Sequence, residues 1–544
     1  MDSSWARQRS SIQPVLFRAT EQWFVNVDAN DLRKNALQTI KEVKWYPSWG
    51  EERISNMVTD RPDWCISRQR LWGVPIPVFY CETCKEPLFT EETISAVEAC
   101  FEKEGADAWY LRKAEEILPS GFTCPRCQGT TFRKEMDIFD VWFESGVSNL
   151  AVLEKRPELS WPCDLYLEGS DQHRGWFQVS LLAALASRGR APYREVLTHG
   201  WVLDAEGKTM HKSLGNVIDP MEILKDHGAD VLRLFIASVD YKGDVRIGDE
   251  VLKQTGEVYR KIRNTFRYLL GNLNDFDPRK DRVPQEQMLE IDRWALFRLG
   301  QLVDRVTNAY SAFEFHLVFY HLHNFCATDL SSVYLDVIKD RLYTYAPCSP
   351  ERRSAQTALY KILLDLLVVA FPILSFTAEE IWQNLPVTLQ DRISVQLLSW
   401  PKPESLLQDA PFEEKWQQLL RLRNDVYGVL EEARQKKLVN QAQEASVDLY
   451  LPPETYEKMK QEGDLLQMLF MVSQLNLHSV EGELPSGMSP GKEFSQVRIR
   501  VEKAAGVKCP RCWNFFVEQP DIKYGELCPR CSRVMETGFA VGAG

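Results

Sequence analysis

The spacing of apolar and polar residues divides the chain into an α/β part and a helical part. In the α/β part, DLYLEG (164–169) predicts a strand, WFQVSLLAALASRG (176–189) a helix, and REVLTHGWVLD (194–204) a second strand. Strand, helix and parallel strand form the repeating unit of a doubly wound sheet. Ligands of such sheets bind beyond the carboxyl ends of the strands, so the loops that follow these two strands are candidate sites.

Helical spacing governs the region from about residue 250 to residue 445. Apolar residues recur there three and four positions apart, which is typical of a helix bundle. The longest apolar run (362–374) contains Asp365 and is shorter than the roughly 18–20 residues that cross a bilayer. We therefore expect a buried helix there and no membrane partner. Short strands and helices follow over 446–503, beginning with the alternating SVDLYLP.

The first sixty residues carry another helical pattern, DANDLRKNALQTIKEV (28–43), followed by KWYPSWG (44–50), which is predicted as an aromatic turn. No secretory signal precedes Val15, and the basic, serine-containing start is a weak transit signal because it contains Asp2 and lacks an amphipathic face. A cytoplasmic location is expected.

Composition narrows the class of protein. Hydrophobic residues make up 44% and charged residues 26% of 544 positions, which are ordinary values for several globular domains. The net charge is −12, from 77 acidic and 65 basic residues. A negative net charge argues against a protein that binds nucleic acid through its overall electrostatic field. Local basic patches can still bind nucleic acid.

Paired cysteines indicate two zinc sites. Eight of the thirteen cysteines form four Cys-x-x-Cys pairs, namely Cys81/Cys84, Cys124/Cys127, Cys509/Cys512 and Cys528/Cys531. This spacing lets two thiolates of one turn reach one tetrahedral Zn²⁺. The tail pairs, 15 residues apart, predict a zinc ribbon, and the upstream pairs, 39 residues apart, predict a second zinc that pins an insertion. Two matched pairs of cysteines are less typical of a redox-active dithiol than of a zinc site. Because thiols persist in reducing compartments, we expect the protein in such a compartment.

Three features leave alternatives open. The arginines and aromatic residues around the tail cysteines suit either nucleic-acid contacts or a purely structural staple. SRQRLWG (67–73) is either an exposed arginine-rich turn or a functional segment. GKTMHKSLGN (207–216) is either a capping turn or a mobile loop whose Lys212 grips phosphate, and it contains no Gly-rich P-loop signature.

Four segments in chain order resemble class I aminoacyl-tRNA synthetases: SRQRLWGVPIP, DVWFESG, LYLEGSDQHRGWF and TMHKSLGN. Three helical stretches resemble the anticodon-binding bundle of the isoleucine–tRNA ligase family: RWALFRL, HNFCATDLSSVYLDVIKDRLY and ILSFTAEEIW. The Cys₄ tail is similar to that of the bacterial type. The likeness extends from about Val15 to the end of the chain.

The resemblance implies a ligase that activates isoleucine with ATP and Mg²⁺ and transfers it from the adenylate to tRNA-Ile. Positioning and charge stabilisation do most of such work. The residues implied for the adenylate site are Glu168 for the aminoacyl-adenylate, Asp171 near the ribose, Gln172 near the amino group, and Trp142 and Trp176 as walls of the isoleucine pocket.

The resemblance also implies an ATP-binding loop made of Met210, His211, Lys212 and Ser213, with Lys212 as the catalytic residue that stabilises the triphosphate. The family's loop usually reads Lys-Met-Ser-Lys-Ser, so Thr209 and His211 depart from it. Glu144 stands where the family has aspartate. These changes either retune the site or mark a relaxed pseudo-enzyme.

Two hypotheses follow. The chain contains no His-x-Gly-His among its eight histidines and no large editing insertion, both of which the family uses. We therefore expect a C-terminal portion of an isoleucine–tRNA ligase, a fragment or a split half that works with an N-terminal half-enzyme chain. The alternative is a non-catalytic tRNA-binding or regulatory paralogue.

The expected fold is α/β plus all-α, with the second half of a doubly wound nucleotide-binding sheet, a helical anticodon-binding bundle and a C-terminal zinc ribbon. The expected domains are a return segment (1–60), a connective insertion (61–160), the second half of the catalytic fold (161–248), stem-contact helices (249–289), the anticodon-binding bundle (290–445), an α/β junction (446–503) and the zinc ribbon (504–544).

Overall fold

The computed structural model describes residues 19–390, 392–402, 409–480, 487–518 and 522–538. These residues form two compact units. The first unit comprises the chain up to Val202 together with Tyr241–Val245, and the second comprises Leu203–Asp240 together with the chain from Arg246 onwards. No helix in the described ranges is long and apolar enough to cross a membrane.

The first unit combines short strands with helices. Its strands are β1 (Phe24–Val25), β2 (Lys44–Tyr46), β3 (Trp64–Cys65), β4 (Ser67–Arg68), β5 (Phe79–Cys81), β6 (Pro87–Leu88), β7 (Phe132–Lys134), β8 (Ile138–Phe139), β9 (Cys163–Gly169) and β10 (Tyr193–His199). Its helices are α1 (Leu32–Thr39), α2 (Trp49–Thr59), α3 (Glu91–Glu104), α4 (Ala108–Leu111), α5 (Ala114–Ile117), α6 (Val141–Gly146) and α7 (Trp176–Arg188).

A parallel sheet in the order β2-β10-β9 forms the centre of the first unit. In its register Val196 of β10 lies opposite Tyr166 on one side and Trp45 on the other. Together with Phe177 of α7 and Ile40, these side chains belong to one buried apolar cluster. The predicted strand–helix–strand unit is therefore confirmed as β9, α7 and β10.

The prediction of a turn over KWYPSWG is wrong at both ends. Lys44–Tyr46 is β2, an edge strand of the sheet, and Trp49 already begins α2. Trp45 is buried in the sheet core and its indole N–H donates to the Ile40 carbonyl at 2.9 Å. Three residues are too few for the strand period to stand out beside a proline.

Residues 79–134, which lie within the predicted insertion, are arranged around a small sheet in the order β6-β5-β7. Its helix α3 (Glu91–Glu104) starts at a capping box in which Thr90 and Thr93 exchange hydrogen bonds of 3.0 and 3.3 Å. Phe79, Trp109 and Phe132 pack beside two of the paired cysteines in one buried cluster.

The second unit is mostly helical. Two short strands lie at the unit boundaries, β11 (Val202–Leu203) and β12 (Val245–Arg246). The helices are α8 (Pro220–His227), α9 (Ala229–Ser238), α10 (Asp249–Gly271), α11 (Glu290–Ser311), α12 (Phe315–Asn324), α13 (Leu335–Val337), α14 (Lys339–Thr344), α15 (Pro350–Ala370), α16 (Ser375–Gln383) and α17 (Ala410–Gln435). The buried helix expected at 362–374 is confirmed as far as the end of α15.

A buried charged network holds the centre of the bundle. Asp292 of α11 accepts both terminal nitrogens of the Arg341 guanidinium at 2.7 and 2.9 Å, the Tyr334 hydroxyl at 2.8 Å and the Ser354 hydroxyl at 2.5 Å. Tyr334 ends a π-helical stretch, Phe325–Tyr334, where the apolar spacing predicts only α-helix. The widened turns are the main departure from the predicted helices.

Helix α9 is tied to the bundle at the corner between α15 and α16. The Asp230 carboxylate accepts the backbone N–H of Thr377 at 2.6 Å, at the start of α16. The Arg233 guanidinium donates to the carbonyls of Pro372 and Ile373 at 2.7 and 2.8 Å. A cation therefore meets the carboxyl end of one helix and an anion meets the amino end of the next.

The C-terminal part of the second unit contains a mixed sheet and the cysteine tail. The elements are β13 (Ala445–Leu451), α18 (Pro453–Met459), α19 (Gly463–Phe470), β14 (Gln474–Ser479), β15 (Ser489–Pro490), β16 (Arg498–Lys503), β17 (Val507–Lys508), β18 (Phe515–Phe516) and α20 (Pro529–Gly538). The sheet order is β14-β13-β16-β15, and β17 pairs with β18. The alternating SVDLYLP is confirmed as β13.

Candidate functional site

Two tryptophans and a glutamine meet at Gly175, beyond the carboxyl end of β9. A Cβ built on Gly175 would lie 2.6 Å from Gln172 Oε1 and 2.9 Å from the Trp142 ring, so only glycine fits here. The Gln172 carbonyl accepts the Trp176 backbone N–H at 3.1 Å, and its amide donates to Asp171 at 2.9 Å. The side chain amide is therefore held in one orientation.

Trp176 is fixed on two sides at the start of α7. Its ring stacks on Tyr166 with centroids 4.0 Å apart, and its indole N–H donates to the Ser145 carbonyl at 3.0 Å. Behind it His173 is fully buried, and burial lowers the pKa of its imidazole to about 4. The neutral ring packs against Trp45 and Phe177 and supports the 3₁₀ turn that carries Gln172.

The acidic residues at this strand end are open to solvent. Glu168 and Asp171 are both exposed, in contrast to the buried core beneath them. A Cβ on Gly169 would lie 2.8 Å from Asp171 Oδ1 and 3.5 Å from the His199 ring, so Asp171 lies over the ends of β9 and β10. Carboxylates, a fixed amide and two indoles suit a ligand with an ammonium group and an apolar side chain.

The loop that carries Lys212 (207–216) belongs to the second unit and is held by local hydrogen bonds. The buried Asp204 carboxylate accepts the Lys208 backbone N–H and the Asn216 side chain amide, both at 2.7 Å. Asn216 in turn accepts the His211 backbone N–H at 2.9 Å. The Asn216 amide, followed by the Lys208 N–H, keeps the pKa of Asp204 below its usual value.

Lys212 projects from this braced loop. It opens a single 3₁₀ turn, Lys212–Leu214, that ends at Gly215 in the left-handed region (φ 67°). Lys212 and His211 are exposed and Met210 is half-buried, whereas the Ser213 side chain lies outside the described atoms. The His211 ring is engaged with the Thr209 hydroxyl at 3.0 Å. The loop thus presents two exposed lysines, Lys208 and Lys212, on a frame of internal hydrogen bonds.

Each predicted set of four cysteines comes together. In both sets the sulfurs lie within 4.8 Å of one another. The Cys81–Cys127, Cys84–Cys124 and Cys512–Cys528 sulfurs are 3.5, 3.7 and 3.8 Å apart. Tetrahedral Zn²⁺ with bonds of about 2.3 Å requires about 3.8 Å between sulfurs, so both sets fit a metal ion of this kind.

Backbone N–H groups favour the thiolate form of some of these cysteines. The backbone N–H of Cys84 is the main cause that lowers the pKa of Cys81 to about 6. In the tail, the N–H groups of Cys528 and Cys531 donate to the sulfurs of Cys509 and Cys528 at 3.5 Å. Arg511 donates to the Cys531 sulfur at 3.7 Å, so one arginine of the tail supports the cluster.

Sequence reasoning named Trp142, Gln172 and Trp176, which the structure brings together, and did not name the residues packed behind them. Gly175, His173, Tyr166, Asp204 and Asn216 shape the site, yet none was singled out. The available signal was weak. Asn216 and Asp204 lie in loops twelve positions apart, so no local pattern links them. His173 lies in a polar segment without a hydrophobic periodicity that would predict its burial.

Comparison with known proteins defines the class. Residues 10–248 match the family described as tRNA synthetases class I (I, L, M and V), and residues 292–449 match the anticodon-binding domain of tRNA ligase. The chain belongs to the class I tRNA synthetases, with their Rossmann-like fold and a helical anticodon domain. This confirms the resemblance on which the expectations rest.

Within that class, the similar proteins are isoleucine–tRNA ligases. The ligase of Moorella thermoacetica is 52% identical over 531 residues, which cover 97% of this chain and 57% of the relative. That of Caldanaerobacter subterraneus subsp. tengcongensis is 53% identical over 530 residues, covering 97% and 56%. The chain thus spans little more than half the length of these relatives.

A solved structure supports the fold alone. Methionyl-tRNA synthetase of Mycobacterium tuberculosis in complex with methionyl-adenylate matches with a TM-score of 0.51 and 18% identity. The match covers 75% of this chain and 72% of that one.

Proposed function

We propose that this chain carries out part of the isoleucine–tRNA ligase reaction. In that reaction isoleucine and ATP, bound with Mg²⁺, form the adenylate, and the isoleucyl group then passes to tRNA-Ile. The observation that carries the proposal is the meeting of Trp142, Gln172 and Trp176 at Gly175, in a chain half identical to named isoleucine–tRNA ligases over nearly all its length.

The roles follow from the chemistry of each group. The two indoles form walls for the branched apolar side chain, and the oriented Gln172 amide receives the amino group. Glu168 contacts the adenylate, and Asp171, at the strand ends, contacts the ribose. Adenylate formation needs charge stabilisation on the triphosphate, which one mobile cation such as Lys212 supplies without a bidentate geometry.

The loop sequence is compatible with this role. Met210, His211 and Ser213 complete the ATP-binding loop around Lys212, and the bracing by Asn216 does not involve the lysine side chain. The helical bundle binds the tRNA, and each Cys₄ set holds a structural Zn²⁺. An N-terminal half-enzyme polypeptide supplies the remainder of the ATP site.

Isoleucine-dependent ATP–pyrophosphate exchange tests the proposal. The chain is assayed alone and mixed with a polypeptide that contains the part of the Moorella thermoacetica ligase outside the matched region. We expect exchange in the mixture, and a loss of about 10²–10³-fold on Lys212→Ala, the usual effect of removing one group that stabilises developing charge. Lys225→Ala, an exposed lysine of α8, is the matched control and should leave exchange unchanged.

Two results contradict the proposal. Equal rates of ATP–pyrophosphate exchange in the Lys212→Ala and Lys225→Ala variants would show that Lys212 does not stabilise the triphosphate. A mixture that binds tRNA-Ile but never catalyses exchange would favour the alternative, a non-catalytic tRNA-binding or regulatory paralogue.

A further inference from the structure

Helix α6 contacts both indole walls of the proposed isoleucine pocket. Trp142 lies on the helix itself, with its ring against Gly175. Trp176 belongs to α7, but its indole N–H donates to the Ser145 carbonyl of α6 at 3.0 Å. A Cβ built on Gly146 would lie 3.1 Å from a backbone carbonyl oxygen of α7, so the end of α6 rests directly on that helix. The width of the pocket therefore depends on where α6 lies.

The segment SRQRLWG (67–73), whose role the sequence leaves open, is bonded to the amino end of α6. Arg68 pairs with Asp140, the residue before α6, at 3.0 Å. Asp140 is buried, and its backbone N–H donates to the Ile66 carbonyl at 2.7 Å. Strand β4, which contains Arg68, pairs with β8, the strand before the helix. The start of α6 is therefore fixed to this segment.

A second contact joins Glu144, one turn into α6, to the residue that follows the segment. Glu144 Oε1 accepts the backbone N–H of Val74 at 3.2 Å, and the Val74 carbonyl accepts the Phe139 N–H at 2.8 Å. Both backbone groups of Val74 are thus bonded to the stretch around α6. Glu144 is half-buried, whereas Leu71 and Trp72 in the segment are exposed. The contact therefore lies where an exposed loop returns to the body of the first unit.

The length of the Glu144 side chain matters for this contact. A distance of 3.2 Å is at the long end of the range for an N–H···O hydrogen bond. In the pattern that this part of the chain resembles, aspartate stands at position 144. Aspartate is one methylene shorter, so here it would reach Val74 only if α6 moved towards the segment and carried Trp142 with it. Glutamine keeps both the length and an acceptor oxygen and loses only the charge.

We propose that Glu144 is a positioning residue that sets the width of the isoleucine pocket by holding α6 to Val74. The proposal rests on the proposed function. Glu144 acts through Trp142, because its own carboxylate is bonded to the segment and not to the pocket. The pocket wall contacts the substrate side chain in the ground state and in the transition state alike, so a displaced wall weakens binding more than it slows the reaction. It also weakens the preference for isoleucine over valine, which differ by one methylene.

Hydrogen exchange of the full chain alone tests the contact. In Glu144→Ala and Glu144→Asp, the Val74 amide and the amides of α6 should exchange about fivefold faster than in wild type, as expected for the loss of one hydrogen bond. Glu144→Gln should match wild type. Glu158→Ala, which removes an exposed carboxylate of the first unit, is the matched control and should also match wild type.

ATP–pyrophosphate exchange in the mixture with the complementary polypeptide tests the consequence for the pocket. Glu144→Ala and Glu144→Asp should raise the KM for isoleucine about tenfold, leave kcat within about twofold of wild type, and lower the preference for isoleucine over valine. Glu144→Gln should restore the wild-type KM, because it restores the acceptor oxygen at the same reach. Thermal unfolding checks that each variant is folded.

Two results would overturn the proposal. Wild-type hydrogen exchange in Glu144→Asp would show that the length of the side chain does not hold α6. Faster hydrogen exchange with an unchanged KM for isoleucine would show that the contact supports the fold and not the pocket. Failure of the proposed function is distinguishable, because the wild-type mixture would then catalyse no ATP–pyrophosphate exchange, while hydrogen exchange would still decide whether Glu144 holds α6.

Discussion

The centre of the bundle and the carboxyl end of β9 use acidic residues in opposite ways. In the bundle, Asp292 is fully buried, and both of its oxygens are taken by Arg341, Tyr334 and Ser354. At the strand end, Glu168 and Asp171 are exposed and keep acceptor capacity for a ligand. Burying a carboxylate is costly unless its oxygens are hydrogen-bonded, so the paired acid depends on its partners, whereas the exposed acids stay available for the proposed ligand.

The Arg61 guanidinium lies between these extremes. It is half-buried and donates to the Gln178 side chain, but among the described residues its buried Nε has no hydrogen-bond partner. We therefore expect stability to depend on the partners of buried polar groups and to depend little on exposed ones.

The largest effect is expected from metal removal at the tail cysteines. Among the described residues, the buried cluster of these cysteines contains only Phe516 and Leu527 besides them, so we expect a metal ion to supply most of the stability of this ribbon. Structural Zn²⁺ binds such sites with an apparent 10–16 kcal/mol at pH 7. We expect about two zinc ions per chain, and chelation should unfold the tail from Val507 onwards, as measured by metal analysis and hydrogen exchange.

The insertion provides the internal control for that experiment. Cys81 and Cys124 share a buried cluster with Phe79, Trp109 and Phe132, which adds apolar burial to whatever a metal ion supplies. Chelation should therefore loosen the insertion less than the tail. Equal protection of the tail before and after chelation would mean that its fold does not depend on the metal.

The next effect concerns the buried pair in the bundle. Asp292→Ala leaves the Arg341 charge buried and unpaired, which costs about 3–5 kcal/mol. Combining Asp292→Leu with Arg341→Met removes both charges and should recover most of this loss. Urea unfolding of the full chain measures both variants. Asp336→Ala, which breaks the exposed pair with Lys339 at 2.7 Å, should cost less than 1 kcal/mol, and equal costs for the two acids would contradict the comparison.

An intermediate case is Asp448 on β13. It is 6% exposed and accepts from Asn476, His478 and Arg500 at 2.9–3.2 Å. Burial raises the pKa of this carboxyl, but the hydrogen bonds from His478, Arg500 and Asn476 outweigh it, so the pKa is lowered. Asp448→Asn should cost about 1–3 kcal/mol near neutral pH.

The sign of the pH dependence follows from the lowered pKa. Stability from the Asp448 carboxylate is fully present above its unfolded pKa of about 3.9 and is lost as the pH falls through the folded value. The difference in unfolding free energy between wild type and Asp448→Asn should therefore shrink between about pH 5 and pH 3. A difference that stays constant over this range would show that the ionised form contributes nothing.

The sequence predicted the elements whose pattern is long or strongly apolar. The strands β9, β10 and β13 and the helices α7, α11 and α15 are confirmed because each buries several regularly spaced side chains. The strand β2 was missed because three residues beside a proline carry no visible period. The π-helical stretch was missed because its buried residues Cys326, Leu330 and Val333 recur four and three positions apart, a spacing that also predicts an α-helix.

The residues of the candidate site also fall into a group that could be named from the sequence and a group that could not. Trp142, Glu168, Asp171, Gln172, Trp176 and Lys212 were named from resemblance, and the structure brings Trp142, Gln172 and Trp176 together, although their roles stay predictions. The partners behind them depend on tertiary contacts between distant loops. One signal was available: Gln178 is a polar residue within the apolar run of α7, where a buried amide must meet a partner or a ligand.

The smallest effect on stability is expected at Lys212. The residue is exposed, and among the described residues its side chain makes no hydrogen bond or ion pair, so Lys212→Ala should change the unfolding free energy by no more than about 0.5 kcal/mol. Asn216→Ala in the same loop removes the bonds to Asp204 and His211 and leaves a buried carboxylate short of a partner, at a cost of about 1–3 kcal/mol. Hydrogen exchange should show the loop opening in Asn216→Ala and closed in Lys212→Ala. A loop that opens equally in both variants would mean that the Lys212 side chain stabilises the loop. The loss of ATP–pyrophosphate exchange in Lys212→Ala could then be explained without a contact between Lys212 and the triphosphate.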